Sequence, residues 1–216
     1  VLMKINIFLR SIFRRKNNSM KIEAKLVNEL RQKTGAGMMD CKKALVESNG
    51  ILDDAIDHLR KTGITKAEKK GSRQTKEGII YSYIHAGSRL GVLVEINCET
   101  DFVAKTDGFS ELAHGIAMQI AATNPLSLDV SSLDEAVIAR EKDIFKEQAK
   151  SEGKPDEIIE KMINGRLQKF YQESCLLEQT YIKDPDKKVK DLITESVATL
   201  GENITINRFI RFSIGE

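Results

Sequence analysis

One segment sets the architecture of this chain: Gly91-Val92-Leu93-Val94-Glu95-Ile96-Asn97-Cys98-Glu99-Thr100-Asp101-Phe102-Val103. Its first six residues have the length and β-branched content of a buried or half-buried strand. Polar side chains follow, and a single large aromatic side chain, Phe102, stands beyond them at the predicted rigid strand end. Two interpretations of Phe102 remain open: the ring is buried beneath the sheet, or it is exposed as a wedge for a partner's pocket.

The residues around this segment predict an α+β module over 78–216. Gly78 to His85 is predicted to form a strand, 86–89 a turn, and Leu90 to Cys98 the return strand of a hairpin. Asn203 to Phe212 is predicted to be a last strand that pairs with this hairpin. Apolar periodicity between the strands predicts helices that end at Asn124-Pro125, Gly153-Lys154-Pro155 and Gly201. The expected result is a small antiparallel sheet covered by helices.

Residues 21–63 predict a separate docking module of three short helices. The first ends at Thr34-Gly35, the second covers Met38 to Ser48, and the third begins near Leu52 and is closed by Gly63. Met38 and Met39 are adjacent, so they cannot both face inward, and we expect either one exposed or both half-buried. Residues 64–77 are predicted to be a basic linker, either a solvated connector or an extension of the helix.

Charge is distributed unevenly along the 216 residues. Residues 1–76 hold 18 Lys and Arg against 8 Asp and Glu, whereas residues 77–216 hold 16 against 24, which agrees with the net charge of +2. A basic front and an acidic body predict two modules with different surfaces. The three cysteines form no CxxC pair, which indicates free thiols in a reducing compartment.

Residues 1–20 differ from the rest of the chain. Val1 to Ser19 is apolar and basic and contains no acid. Its apolar run is shorter than the roughly 20 residues that span a bilayer. We predict either a leader or disordered extension, as in organelle targeting, or an over-called start with the folded protein beginning at Met20. In either case we expect no membrane partner.

Catalysis finds little support in the sequence. No Gly-rich phosphate loop follows a strand, no Ser or Cys nucleophile has an evident base, and the histidines lack metal-ligand spacing. We therefore predict a binding protein, not an enzyme, with no metal, no cofactor and no direct nucleotide or nucleic-acid binding.

Two long motifs resemble the signatures of the translation elongation factor Ts family. The first runs from Leu30 to Leu45, and the second is Asn97-Cys98-Glu99-Thr100-Asp101-Phe102-Val103-Ala104-Lys105. The segments 82–85, 165–166 and 201–212 agree as well. The resemblance covers the chain from about Lys21 to its end, in the family's order.

The resemblance implies a guanine-nucleotide exchange factor for elongation factor Tu, the GTPase that carries aminoacyl-tRNA to the ribosome. In the family the small helical module, of the ubiquitin-associated type, docks on the GTPase, and an Asp-Phe pair, here Asp101 and Phe102, intrudes near the magnesium and phosphate site. The positions implied to contact the GTPase are Arg31, Met38, Met39, Lys42, His85, Thr100, Asp101, Phe102, Val103, Ile182 and Lys183.

The chain has room for one core subdomain, as in the short family members that form homodimers. The resemblance therefore implies a homodimer, with a thiol link through Cys175 as one possibility, and a bacterial cytoplasm or a plastid or other organelle interior as the location. Two rival functions stay open. One is nucleic-acid binding by the basic front, which predicts steep salt dependence. The other is an adaptor that uses the small helical module alone.

Overall fold

The computed structural model describes residues 22–153 and 155–215, and the chain forms two compact units. The first unit contains the described residues up to Thr65, and the second contains those from Lys66 onward. Residues 1–20, for which the sequence predicts a leader or extension, lie outside the described residues.

The first unit is helical. It contains α1 (Ala24–Thr34), α2 (Met38–Glu47) and the first part of α3 (Leu52–Lys70), whose residues from Lys66 onward belong to the second unit. Gly35 ends α1 in the left-handed conformation with φ 66°, and its N–H donates to the carbonyl of Arg31 at 2.8 Å. The buried side chains are small or medium in size: Val27, Leu30, Cys41, Ala44, Leu45 and Ala55.

The predicted end of the third helix at Gly63 is wrong. Helix α3 continues through Gly63, which is buried, to Lys70. A glycine inside a helix costs about 1 kcal/mol relative to alanine, which is too little to end a helix that tertiary contacts support. Ala67, one turn further on, packs against the core of the second unit. Part of the predicted linker is therefore an extension of the helix.

The second unit is built on a three-stranded antiparallel sheet. Strands β1 (Glu77–Ile84) and β2 (Leu90–Cys98) form the predicted hairpin, and β5 (Thr205–Ser213) pairs with β2, so the strand order is β1-β2-β5. The other elements are α4 (Asp101–Ala104), α5 (Asp107–Thr123), α6 (Glu135–Ser151), α7 (Asp156–Ser174), β3 (Thr180–Tyr181), β4 (Asp184–Lys188) and α8 (Val189–Leu200).

Helix α5 supplies the centre of the core. Phe109, Ile116 and Ile120 are fully buried and belong to one cluster with Val92 and Val94 of the central strand β2. Thr106 caps the helix by accepting the N–H of Phe109, and Asn124 ends it in the left-handed conformation. Helices followed by an antiparallel sheet with helical cover confirm the predicted α+β class.

The short hairpin of β3 and β4 is an element that periodicity did not predict. The segment Asp184–Lys188 contains acids, lysines and a proline, which are poor strand formers. Tertiary contacts hold it instead. Gly115 of α5 lets the Tyr181 hydroxyl approach so closely that a Cβ on residue 115 would clash with it.

The face of the sheet opposite α5 is exposed, and it carries several large apolar side chains beside the Glu95–Arg208 ion pair. The register places Ser82, Leu93 and Ile210 in one row across the three strands, and Ile84, Gly91 and Phe212 in the next. We call this surface the open sheet face. Its large apolar side chains are 43–68% exposed: Ile80, Ile84, Leu93, Ile210, Phe212 and the adjacent Ile214.

The cysteines are all buried, which contradicts a thiol link between copies through Cys175. Cys175 has no exposed surface, and its Sγ lies 3.4 Å from the Ser127 hydroxyl. Burial raises the pKa of the Cys175 thiol and also that of Cys98, so the reactive thiolate is scarce at neutral pH.

We expect the native protein to react slowly with a thiol reagent and to migrate as a monomer on a denaturing, non-reducing gel, because no disulfide joins two copies. Burial and the raised pKa of Cys98 and Cys175 both slow thiolate attack. Unfolding in guanidinium should expose all three thiols. Fast labelling of Cys175 in the folded protein, located by mass spectrometry, would contradict this expectation.

Candidate functional site

Phe102 is the most exposed large apolar side chain among the described residues, with 80% of its surface accessible. The expectation of a strand end is wrong in detail, because Asp101–Ala104 forms a single helical turn, α4. Val103 packs against the core and Ala104 is buried, so the turn directs Phe102 away from the core. The interpretation that Phe102 lies beneath the sheet is therefore excluded.

The residues before Phe102 are held at several points. Cys98, the last residue of β2, is buried and donates its S–H to the carbonyl of Thr100 at 3.1 Å. The Thr100 hydroxyl donates to Oε1 of Glu202 at 2.6 Å. Behind the turn, the N–H and hydroxyl of Thr106 both donate to the carbonyl of Val103. Phe102 thus extends from a backbone that is fixed on both sides.

Asp101 forms an ion pair within its own helical turn. Its Oδ2 lies 2.6 Å from Nζ of Lys105, and the hydrogen bond from Lys105 lowers the pKa of the Asp101 carboxyl. Both side chains are well exposed. The carboxylate is therefore ionised at neutral pH and accessible, and an incoming group would compete with Lys105 for it.

His85 follows directly after β1, one residue beyond where the predicted strand ends in the structure, and it belongs to an aromatic cluster. Its Nδ1 lies 2.9 Å from the hydroxyl of Tyr83, whose ring meets that of His114 edge-on at 5.7 Å. Nδ1 of His114 lies 3.1 Å from the hydroxyl of Tyr81. This cluster was not predicted from the sequence. Tyrosines two apart on the strand are the signal that places both rings on one face.

Ile182 and Lys183 form the exposed tip of the β3–β4 hairpin. The buried Gln119 anchors this tip by accepting the N–H of Ile182 at 2.8 Å and donating to the carbonyl of Thr180 at 3.1 Å. Lys183 lines an open groove of about 920 Å³. The groove also includes Tyr81 and His114 of the aromatic cluster and Asp107 of α5. Lys183 therefore shares this groove with Tyr81 and His114, whereas Tyr83, the residue that contacts His85, is not part of its lining.

The first unit presents its own exposed surface at the α1–α2 corner. Met38 and Met39 are 52% and 64% exposed, so neither faces inward, and of the two alternatives the one with both half-buried at the start of the helix is closer to the structure. Both lie in the first turn of α2, before its buried face begins at Cys41. Lys42 is exposed four residues after Met38, on the same side of the helix. Arg31 is exposed in the last turn of α1.

Within the part of the chain that the structure describes, no three His, Cys, Asp or Glu side chains are grouped so that they could hold a metal ion. The helices of residues 22–153 and 155–215 include none with the length and apolar content needed to cross a membrane. The exposed residues are apolar, aromatic and charged, as in surfaces that contact another protein.

Sequence comparisons agree with the two signature motifs. Residues 15–216 match the family described as Elongation factor TS. The chain is 60% identical over 195 residues to elongation factor Ts of Syntrophomonas wolfei, covering 90% of this chain and 91% of that protein. It is 54% identical over 196 residues to elongation factor Ts of Nitratidesulfovibrio vulgaris, covering 91% and 98%. Elongation factor Ts of Thermosipho melanesiensis is 54% identical over 195 residues, with 90% and 100% covered.

Proposed function

The chain belongs to the elongation factor Ts family of translation elongation factors, and from this premise we propose that it promotes GDP release from elongation factor Tu. The observation that carries the proposal is Phe102, an aromatic ring 80% exposed on a fixed helical turn. Exposing such a ring without a partner leaves a large apolar surface in water. A pocket that is open only in the nucleotide-free GTPase would give this surface a role.

An exchange factor of this kind acts by linkage and is not an enzyme that transforms a substrate. If it binds the empty GTPase more tightly than the GDP-loaded form, it weakens GDP binding by the same factor. If Phe102 is buried in the nucleotide-free GTPase and not in the GDP-loaded one, this contact gives the required difference in affinity. The chain itself needs no cofactor and no contact with the nucleotide.

We place Asp101 and Phe102 beside the magnesium and phosphate site of the partner. Mg²⁺ bridges phosphate oxygens and protein ligands in GTPases, so displacement of its ligands weakens the hold on the nucleotide. The ionised, exposed Asp101 supports this placement, because a carboxylate brought near the phosphates adds repulsion to the steric effect of the ring. Val103, which packs against the core, supports the turn from behind.

The remaining site residues are proposed to dock each of the two units on elongation factor Tu. Met38, Met39, Lys42 and Arg31 give the first unit an adaptable apolar patch with positive charge beside it. His85, Ile182 and Lys183 are exposed in the second unit and are proposed to contact the GTPase and a more distal domain of the partner. We infer that these contacts provide affinity, whereas Phe102 provides the preference for the empty form.

We also propose that two copies pair through the open sheet face. A cluster of exposed Ile, Leu and Phe side chains on one face is unusual on an isolated protein surface, even though Ser82, Gly91 and the Glu95–Arg208 ion pair lie among them. Two such faces can stack at about 10 Å and bury their apolar side chains. A second copy presents the same chemistry, so the contact is self-complementary under two-fold symmetry.

The relatives are bacterial, which supports the cytoplasm of a bacterium as the location.

Binding measurements with purified elongation factor Tu test the proposed function. We expect tight binding to the nucleotide-free GTPase, and we expect added GDP with Mg²⁺ to release the chain from it. Calorimetry or surface plasmon resonance would give both affinities. Equal affinity for the empty and the GDP-loaded GTPase would overturn the proposal, since no exchange activity follows from equal binding.

A further inference from the structure

The carboxylate of Glu202 holds the residues that precede the exposed ring. Its Oε2 accepts the N–H groups of Glu99 at 3.0 Å and Thr100 at 2.9 Å, and its Oε1 accepts the Thr100 hydroxyl at 2.6 Å. Both oxygens are thus engaged two and three residues before Phe102. Hydrogen bonds to an ionised acceptor are about twice as strong as neutral ones.

The side chain of Glu99 in turn binds the backbone next to Glu202. Its Oε1 accepts the N–H of Asn203 at 2.7 Å, and its carboxylate forms an ion pair with Arg73 at 3.4 Å. Asn203 is buried and donates its side-chain amide to the carbonyl of Arg73 at 2.8 Å. We call this pair of reciprocal contacts, Glu99 to Asn203 and Glu202 to Glu99 and Thr100, the carboxylate clamp.

The backbone after α8 places Glu202 in the clamp. Gly201 ends the helix with φ 84°, in the left-handed region that favours glycine, and so turns the chain toward the end of β2. The carbonyl of Gly201 accepts a hydrogen bond from Nζ of Lys70 at 2.6 Å. The clamp therefore connects the end of β2 with the start of the last strand.

We propose that Glu202 is a positioning residue for nucleotide exchange, acting on the partner only through the orientation of Phe102. The inference rests on the proposed function. Helix α4 is one turn long and is too short to be stable alone, so its direction depends on Thr100 at its start and on Val103 and Ala104 at its end. Without the Glu202 contacts, Phe102 samples other orientations, and only a fraction of molecules presents the ring correctly.

The same geometry assigns a role to Thr100. Its N–H and its hydroxyl both donate to Glu202, so the side chain faces the clamp and holds the turn. Thr100 then serves exchange by holding Phe102 and not by touching the GTPase. A serine at this position keeps the hydroxyl, whereas a valine keeps the shape of the side chain and lacks the hydroxyl.

Release of a fluorescent GDP analogue from elongation factor Tu tests the inference. At saturating exchange factor, Glu202→Ala should lower the maximal release rate by roughly tenfold, because misdirection of a positioned group by about 1 Å has effects of this size or larger. Glu202→Gln should stay within about twofold of the wild type, since its amide oxygen still accepts both N–H groups. Backbone amide exchange at residues 99 and 100 should accelerate in Glu202→Ala only.

Two comparisons separate positioning from a general loss of stability. Glu178→Ala removes a carboxylate that accepts hydrogen bonds from Lys188 and Lys190, away from the clamp, and it should release GDP at the wild-type rate. In a Phe102→Ala background, adding Glu202→Ala should change nothing further, because both changes remove the same contact. If Glu202→Ala proves too unstable, Thr100→Val is compared with Thr100→Ser, both in the wild-type chain and in the Phe102→Ala variant.

The outcomes that overturn the inference differ from those that overturn the proposed function. A wild-type release rate in Glu202→Ala, with slow release in Phe102→Ala, would remove the positioning role and leave the wedge in place. An equal further loss when Glu202→Ala is added to Phe102→Ala would show that Glu202 acts elsewhere. A wild-type rate in Phe102→Ala itself would remove the wedge role on which the inference rests, whereas equal affinity of the wild-type chain for the empty and the GDP-loaded GTPase would overturn the proposed function.

Discussion

Phe102→Ala is expected to slow GDP release from elongation factor Tu by roughly a hundredfold or more at saturating exchange factor. A phenylalanine ring buries about 150–250 Å² on entering a pocket, which at about 25 cal/mol per Å² corresponds to roughly 4–6 kcal/mol. Alanine keeps part of this, and a net loss of about 3 kcal/mol already changes a rate more than a hundredfold. Stopped-flow release of labelled GDP measures the effect.

The fold should not change in this variant. Because 80% of the Phe102 surface faces water, its removal leaves no cavity, and the free energy of unfolding should stay within about 0.5 kcal/mol of the wild type. Ile158→Ala, which removes another exposed apolar side chain from the same unit, is the matched control and should release GDP normally. Normal release in Phe102→Ala would show that the exposed ring is not the wedge.

The split between affinity and rate adds a second criterion. If Phe102 contacts only the empty GTPase, Phe102→Ala should weaken binding to that form while leaving the weak binding to the GDP-loaded form unchanged. Met38→Ala with Met39→Ala should weaken both forms together if these residues provide docking affinity alone. Opposite patterns for the two surfaces would reverse the roles proposed for them.

Local periodicity predicted those elements whose causes are local. The stripe of Leu112, Ala113, Ile116 and Ile120 defines α5, and Asn124 ends it in the conformation that such a stop requires. The β-forming residues of β1 and the turn at 86–89 define the hairpin. Each of these signals lies within one or two turns of the element that it specifies.

Features with distant causes were not predictable in this way. Helix α3 continues beyond Gly63 because Ala67, which belongs to the second unit, packs against the core of that unit. The β3–β4 hairpin is held by its hydrogen bond to Gln119 of α5. The Glu202 contacts with Thr100 join residues that are 102 positions apart in the chain. The exposure of Phe102 follows from burial of its neighbour Ala104, which no single heptapeptide reveals.

Phe212→Asp is expected to convert the proposed homodimer into monomers. Phe212 lies on the edge strand β5 and is 62% exposed on the open sheet face. It is in the same row as Gly91 of β2 and Ile84 of β1. In a two-fold interface each substitution occurs twice, so two buried rings are lost and two carboxylates must be desolvated. Loss of two rings at about 1.5–3 kcal/mol each weakens dimerisation by more than roughly a hundredfold. Multi-angle light scattering on a dilution series measures the change.

Leu126→Asp is the matched control, because Leu126 is also 62% exposed but lies in the loop after α5 and not on the open sheet face. This variant should keep the dimer, which separates loss of a specific contact from the general effect of a surface charge. The Phe212→Asp monomer should retain its helices and sheet by circular dichroism, since the ring contributes little to the core. A dimer that persists in Phe212→Asp at micromolar concentration would contradict pairing through this face. It would leave the role of Phe102 unaffected, since α4 lies at the end of β2 and Phe102 is not part of the open sheet face.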